Sequence, residues 1–250
     1  MGRSQVFILY INNMNNLTEY LKEALKPLYK ELLNIVQPTD SDSAFCVQWG
    51  KNYPAEKNEG ILFIGKAVNG WNKANDIDTL FGDGNERTFN EADQMQWVED
   101  LEGNQDGYNT RRSAFWRLIK NISQTLYPNN WSSHIAWSNL CKISPLEGGN
   151  PNDSLYYKQL ASCQKILEKE IEILSPKYVV MLTSGWEKDF LYFLNGNKTT
   201  KSVHKEIWGN GYETNVYRIK DTVFITSPHP QGKDGQAHME AITLLLNKNL

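Results

Sequence analysis

Short apolar runs alternate with longer amphipathic segments along most of the chain. The continuous apolar runs near 60–65 and 178–182 are typical of strands buried in the middle of a parallel sheet. Further strands are predicted at 134–140, 214–219 and 222–226, and apolar residues at helical spacing predict helices over 17–36, 112–126, 154–174, 185–194 and 236–247. The order of these elements predicts a three-layer α/β/α sandwich around a mainly parallel central sheet of about four strands.

The first helix sets the expected start of the folded domain. Its predicted apolar face consists of six residues at helical spacing, namely Leu17, Leu21, Leu25, Leu28, Leu32 and Ile35. Residues 1–16 are interpreted as a leader that need not be ordered. Residues 17–250 are interpreted as one domain, since a chain of this length is sufficient to bury a single large core.

An acidic segment interrupts the alternation. Residues 72–109 hold ten acidic and two basic side chains, a net charge of −8, whereas the rest of the chain carries +5. The segment is rich in Asn, Asp and Gly and has weak periodicity, which predicts a long, partly helical insertion. Solvated surface and a functional flap both remain open as interpretations.

Composition narrows the class of protein. No apolar run approaches the ~20 residues that a membrane span needs, so we expect a cytoplasmic protein with no membrane partner. Cys46, Cys141 and Cys163 lack CxxC spacing, which argues against a disulfide framework, and Cys163 is expected to be a buried thiol on a helix face. His134, His204 and His238 also lack metal-ligand spacing, so no metal is predicted.

Two polar turns follow predicted buried strands. Gly65 to Trp71 comes after the apolar run 61–64, and Ser227 to Gly232 comes after the run 223–226. Ligand sites in α/β proteins lie where parallel strands end, so these turns are the first candidates for a site.

The two turns and three phrases between them resemble the uracil-DNA glycosylase superfamily. The matching stretches, in chain order, are 65–69, 112–116, 138–145, 174–180 and 229–232. The resemblance covers about residues 58–245. It implies an enzyme that excises uracil or a related damaged base from DNA without a cofactor.

The resemblance also implies roles for individual side chains. Asn139 is expected to recognise the edge of the base, because an amide donates and accepts hydrogen bonds at once. His229 is expected to stabilise the departing base, and Asn69 to position water. Phe81 is the expected stacking ring, with Trp71 and Phe89 as rivals.

The remaining predicted site residues belong to the same two turns. Gly65, Lys66 and Ala67 are expected to line the base pocket, together with Trp71. Pro230, Gly232 and Lys233 are expected to bind substrate on the other side, with Lys233 facing a phosphate.

The sequence departs from the family pattern in ways that bear on catalysis. Ala67 stands where many members have Asp or Asn to position water, and Val68 replaces the usual Pro. No apolar wedge for duplex insertion follows His229-Pro230. The cysteines also do not match the set of four that holds an iron–sulfur cluster in the branch with Ala at this position.

Several readings therefore stay open. The chain is expected to be monomeric and to bind single-stranded or damaged DNA, or a free nucleobase. An inactive relative that binds a nucleobase, nucleotide or single strand is the main alternative, and an unrelated α/β nucleotide enzyme is a weaker one. His229 and Asn139 also have purely structural interpretations as strand-end residues, and Phe115 and Trp116 are expected to lie in the core.

Overall fold

The computed structural model describes residues 14–54, 59–71, 76–82, 94–99 and 109–248. This part of the chain contains six α-helices, in the order that the apolar periodicity predicts, with one short helix added in the acidic insertion. They are α1 (Met14–Val36), α2 (Ile77–Phe81), α3 (Ala114–Leu126), α4 (Asp153–Leu174), α5 (Lys188–Leu194) and α6 (Gly235–Asn247). Short 3-10 helices span Gln96–Val98 and Trp131–His134.

Side-chain caps explain where three of the long helices begin. Ser113 accepts the backbone N–H of Trp116 at the start of α3, and Asn152 accepts that of Leu155 at the start of α4. Asp234 accepts two backbone N–H groups at the start of α6. Such caps satisfy donors that the first helical turn leaves without an internal partner.

The central sheet is wider than the sequence predicts. We expected about four strands, and the sheet of the described residues has seven, in the order β2-β4-β3-β6-β9-β8-β7. The four inner strands, β4, β3, β6 and β9, run parallel, and the outer pairings are antiparallel. The strand bounds are β1 (Asp42–Ala44), β2 (Gln48–Trp49), β3 (Ile61–Gly65), β4 (Ile135–Asn139), β5 (Ile143–Pro145), β6 (Tyr178–Leu182), β7 (His204–Trp208), β8 (Tyr212–Ile219) and β9 (Thr222–Ser227).

Two hydrophobic clusters cover opposite faces of this sheet. Along β3, Leu62 and Ile64 pack into the cluster that contains α1 and α4, whereas Ile61 and Phe63 pack into the cluster that contains α3 and α6. Alternate residues of a strand point to opposite faces, so a central strand with helices on both sides must be apolar throughout. This explains the uninterrupted apolar runs in the sequence.

Some details differ from the sequence prediction. Helix α1 begins at Met14, so it includes three residues of the predicted leader. Ile35 is 43% exposed, while its neighbours Leu33 and Val36 are buried, so the apolar face of α1 turns away from Ile35 at the last turn. Apart from α2 and residues 94–99, nearly all of the acidic insertion lies outside the described residues. In the described ranges, no helix combines the length and apolarity needed to cross a bilayer.

Candidate functional site

The carboxyl ends of the four parallel strands meet at one edge of the sheet. Gly65 at the end of β3 is in register with Asn139 at the end of β4, and Leu182 of β6 is in register with Ser227 of β9. The loops that follow these strands therefore leave from the same edge. The topology brings together the two turns that the sequence singles out.

Gly65 and Asn139 are in direct contact. A Cβ atom at position 65 would lie 2.5 Å from the Asn139 Oδ1, so only glycine permits this approach. The backbone fixes the same arrangement, since Leu140 N–H donates to Gly65 O and Cys141 N–H donates to Lys66 O, both at 2.9 Å.

The Asn139 amide is buried and only partly used. The residue is 1% exposed, and its Nδ2 has no hydrogen-bond partner in the part of the chain that the structure describes. Leaving a buried donor without a partner costs about 1–3 kcal/mol, so an orphan of this kind calls for an explanation. A ligand with a carbonyl oxygen at the glycine turn would supply the missing acceptor.

Phe115 connects this pair to the second turn. Its ring carbons Cε2 and Cζ lie 3.4 Å from the Cβ position at Gly65, and its ring is within 12° of parallel to His229, with centroids 6.2 Å apart. Phe115 is half-buried and packs against the core cluster that contains α3 and α6, so the expectation that it lies in the core is met only in part. Trp116, its neighbour, is a core residue as expected.

Local contacts define the protonation of His229. The backbone N–H of Gln231 donates to His229 Nδ1 at 3.3 Å, so Nδ1 is an acceptor and a neutral ring carries its proton on Nε2. Burial lowers the pKa of His229, and the positive charges of Lys66 and Lys233 lower it further. Both effects favour a neutral imidazole that donates through Nε2.

The rest of the His229 turn is shaped by its backbone. The His229 N–H donates to Ser184 Oγ at 2.7 Å, which ties this turn to the loop after β6. Pro230 is buried, and Gly232 is exposed with φ +73°, a conformation that favours glycine.

Two lysines and a glutamate surround the turns. Lys66 is half-buried, and burial lowers its pKa against the opposing effect of the Glu187 carboxylate. Glu187 accepts the Gly185 N–H at 2.8 Å and a hydrogen bond from the Thr183 hydroxyl. Lys233 lies over the Tyr212 ring, 5.2 Å from its centroid. The described part of the site therefore carries an excess of positive charge.

Asn69 is committed to a different contact from the one expected. Its Oδ1 accepts the N–H of Gly149 at 3.0 Å, which fastens the first turn to the loop before α4. Ala67 has no polar side-chain atom. The turn therefore offers water no side chain at position 67, where the resemblance implies Asp or Asn.

Phe81 and Trp71, the expected stacking ring and one of its rivals, both pack against hydrophobic core side chains. Phe81 is buried in the core and packs edge-on against Tyr29 with centroids 5.3 Å apart, so its ring does not present the open face that stacking needs. Trp71 packs among Phe45, Trp97 and Trp137 with centroid distances of 5.5–5.7 Å. By position, Phe115 is the better candidate for stacking. The rival Phe89 lies outside the described residues.

A buried chain of hydrogen bonds supports the His229 turn. Ser227 Oγ lies 2.7 Å from both His238 Nε2 and Thr214 Oγ1, and Trp208 Nε1 donates to Thr214 Oγ1 at 2.8 Å. The Trp208 ring stacks on His238 at 4.1 Å. Burial and the nearby Lys233 lower the pKa of His238 to about 4. Sequence spacing gives no sign of this network, because its members come from four separate elements.

A second buried network lies behind Asn139. Lys142 Nζ contacts both Glu170 carboxylate oxygens at 2.8 Å and Ser138 Oγ at 2.7 Å, and all three side chains are fully buried. Gln159 Oε1 accepts the backbone N–H groups of Lys142 and Ile143. Through Gln159 and Glu170, helix α4 thus holds the chain in place on both sides of Asn139.

One cysteine contacts the second network, since Cys163 Sγ donates to Gln159 Oε1 at 3.3 Å. All three cysteines are buried and free, and burial raises the pKa of the Cys163 thiol to about 12, as expected for a structural residue on the apolar face of α4. Across the described ranges, no three His, Cys, Asp or Glu side chains converge as metal ligands would.

The chain matches a known protein family. The family described as the uracil DNA glycosylase superfamily matches residues 50–241, which is well over half of the chain. The match includes both turns, Asn139, Phe115 and His229. No curated protein matches the chain.

Proposed function

The chain belongs to the uracil DNA glycosylase superfamily, and from this premise we propose that it hydrolyses the N-glycosidic bond of uracil or a related damaged base in DNA. The observation that carries the proposal is the convergence of Asn139, Phe115 and His229 on the Gly65 turn. Gly65 and His229 are separated by 164 positions in the sequence. A buried amide without a partner does not stabilise the fold, so its position at the same edge of the sheet as a neutral imidazole favours a role in binding.

Base recognition falls to Asn139. A uracil ring presents alternating carbonyl and N–H groups, and the amide of asparagine matches them because it donates and accepts side by side. The unpartnered Nδ2 donates to a base carbonyl. Phe115 supplies the aromatic surface at the rim of the pocket, where a flipped base needs a stacking partner.

Leaving-group stabilisation falls to His229. When the bond between the sugar C1′ and the base nitrogen breaks, its electron pair leaves with the base, and negative charge builds on the base carbonyl oxygens. The Nε2–H of a neutral His229 donates to one of these oxygens. A fixed donor of this kind typically contributes about 3–4 kcal/mol to transition-state stabilisation. Water then bonds to C1′ and releases a proton.

One observation favours the second candidate function, a relative that binds the base but does not hydrolyse the bond. Ala67 offers no group to water, and the Asn69 oxygen already accepts from Gly149. Without a positioned water, the protein would bind the base and then release the nucleic acid with its glycosidic bond intact.

The test uses single-stranded oligonucleotides that contain one uracil. We expect the wild-type protein to form abasic sites, detected as strand cleavage after alkali, and His229→Ala to lose about 100- to 1,000-fold in rate. His134→Ala is the matched control, because His134 stacks on Tyr127 before β4 begins, at the opposite edge of the sheet. Binding of the oligonucleotide without product would reject the hydrolase and support the binding protein.

A further inference from the structure

Three aromatic side chains form a row that starts at the first turn. Lys66 Nζ lies 5.1 Å from the centroid of the Trp186 ring. Trp186 packs against Tyr156 at 5.1 Å, and Tyr156 packs against Tyr157 at 5.2 Å. Successive rings are roughly perpendicular, so each leaves part of a ring face uncovered by its neighbour. We call Trp186, Tyr156 and Tyr157 the aromatic row.

The row is continuous with the candidate site. Trp186 lies in the loop after β6, two residues beyond Ser184, whose hydroxyl accepts the His229 N–H. The same loop contacts Lys66 through the Trp186 ring. A single strand with its target base at Gly65 would therefore pass this loop as it leaves the pocket.

The row has the exposure and rigidity of a binding surface. Tyr157 is 70% exposed, the highest fraction among the exposed large hydrophobic side chains of the described residues. Tyr156 is held in place, because its hydroxyl donates to Asp189 Oδ2 at 3.2 Å. A fixed ring loses little conformational entropy when a ligand stacks on it.

Two lysines lie near Trp186. Lys66 Nζ lies over its ring, and Lys188, two residues further along the chain, has its Cε 3.9 Å from the Cβ position of Gly185. Aromatic rings combined with cations form the kind of surface that binds unpaired bases and their phosphates. In an intact duplex the base pairs stack on each other, so no base face is free to stack on a protein side chain.

We propose that the aromatic row binds unpaired nucleobases next to the target nucleotide and so selects single-stranded DNA. The inference rests on the proposed function only for the direction of the strand, since the target base must lie at the Gly65 turn. It assigns Trp186 and Tyr157 to stacking, and Lys66 and Lys188 to the phosphates between the bases.

The test measures binding of a fluorescently labelled thymidine 12-mer, which contains no uracil, by fluorescence anisotropy. We expect the wild-type protein to bind this strand more tightly than a duplex of the same length. Tyr157→Ala should weaken single-strand binding by roughly 5- to 150-fold, and Tyr157→Phe should retain it, because stacking uses the ring and not the hydroxyl. Tyr192→Ala is the control, since Tyr192 is 48% exposed on α5 and is not part of the row.

The outcomes separate this inference from the proposed function. Equal affinity of wild-type protein and Tyr157→Ala for the single strand, or wild-type preference for the duplex, overturns the inference. Loss of binding in Tyr157→Ala and in Trp186→Ala, without abasic product from any uracil substrate, supports the row and rejects the hydrolase. Since Tyr157 is exposed, its replacement leaves the fold intact, and a thermal melt of each variant verifies this.

Discussion

The buried pair Lys142 and Glu170 gives the sharpest prediction on how the site is held. Both side chains have zero exposed surface, and Lys142 Nζ lies 2.8 Å from the carboxylate. Lys142 follows Asn139 by three residues, and Ser138, which precedes Asn139, donates to Glu170 at 2.7 Å. Lys142→Met keeps most of the volume of the side chain and removes its charge. The variant leaves the Glu170 carboxylate buried with a single hydroxyl donor.

The expected cost follows from that uncompensated charge. Breaking a fully buried ion pair from one side destabilises a protein by about 3–5 kcal/mol. For a domain of this size, each kcal/mol shifts the melting temperature by about 2–4 °C, so a decrease of roughly 6–20 °C is expected. Removing both charges in Lys142→Met/Glu170→Leu should recover most of the loss, because apolar pairs replace buried ion pairs at little cost.

Chemical denaturation gives the free energy of unfolding of four proteins. They are the wild type, Lys142→Met, Lys142→Met/Glu170→Leu and Lys165→Met. Lys165→Met is the matched control, because Lys165 of α4 and Glu31 of α1 are also 2.8 Å apart but both side chains are exposed. An exposed pair contributes about 0–1 kcal/mol. Equal destabilisation by Lys142→Met and Lys165→Met would refute the reasoning, since it would mean that burial adds nothing to the cost of breaking the pair. A double variant no more stable than Lys142→Met would refute the role assigned to charge.

Three further predictions concern the site itself. Gly65→Ala places a Cβ 2.5 Å from Asn139 Oδ1, so we expect about a 100-fold loss of kcat/KM for base excision. Because the buried Asn139 must shift, we also expect a loss of about 1–3 kcal/mol in stability. Phe115→Ala should lower kcat/KM by roughly 5- to 150-fold, whereas Phe81→Leu should lower the melting temperature alone; the reverse result would restore Phe81 as the stacking ring. The pKa of His238 is lowered to about 4, so the unfolded chain binds more protons below pH 6.5, and stability should fall by on the order of 3 kcal/mol between pH 6.5 and pH 4. Urea midpoints across this range should change less in His238→Gln.

The sequence predicts those parts of the molecule that depend on local pattern. A run such as Tyr178 to Leu182 is apolar at every position because both faces of the strand are covered, and this is visible without coordinates. The parallel order of these strands then places Gly65 and Asn139 at one edge. Long helices with side-chain caps are predicted for the same reason, since caps and periodicity lie within a few residues of each other.

The edge strands β2 and β7 and the position of Phe115 depend on distant contacts, and the sequence pattern does not contain them. β7 begins with three polar residues and lies at the edge of the sheet, so its hydrophobic signal is weak. Phe115 occupies the apolar face of α3, as a core residue would, but it lies in the first turn and so reaches past the end of the sheet. Phe81 follows the expected spacing from the first turn, yet α2 packs it against Tyr29. Whether Phe115 or Phe81 lies near the first turn depends on how α3 and α2 pack, and the local sequence does not show this.

The charge distribution of the site bears on which step of base excision it can assist. Breaking the glycosidic bond makes a cationic sugar and an anionic base, and fixed charges of one sign cannot favour both. Lys66 and Lys233 outnumber Glu187, whose carboxylate is already occupied by Thr183 and Gly185. In the proposed reaction these cations, with the His229 Nε2–H, would stabilise the anionic base and oppose the sugar cation. The phosphates of a bound strand would add negative charge near the sugar to that of Glu187. We therefore expect kcat/KM to be higher for a single-stranded oligonucleotide than for a free nucleoside. The ratio of these two values should exceed the ratio of the two binding affinities.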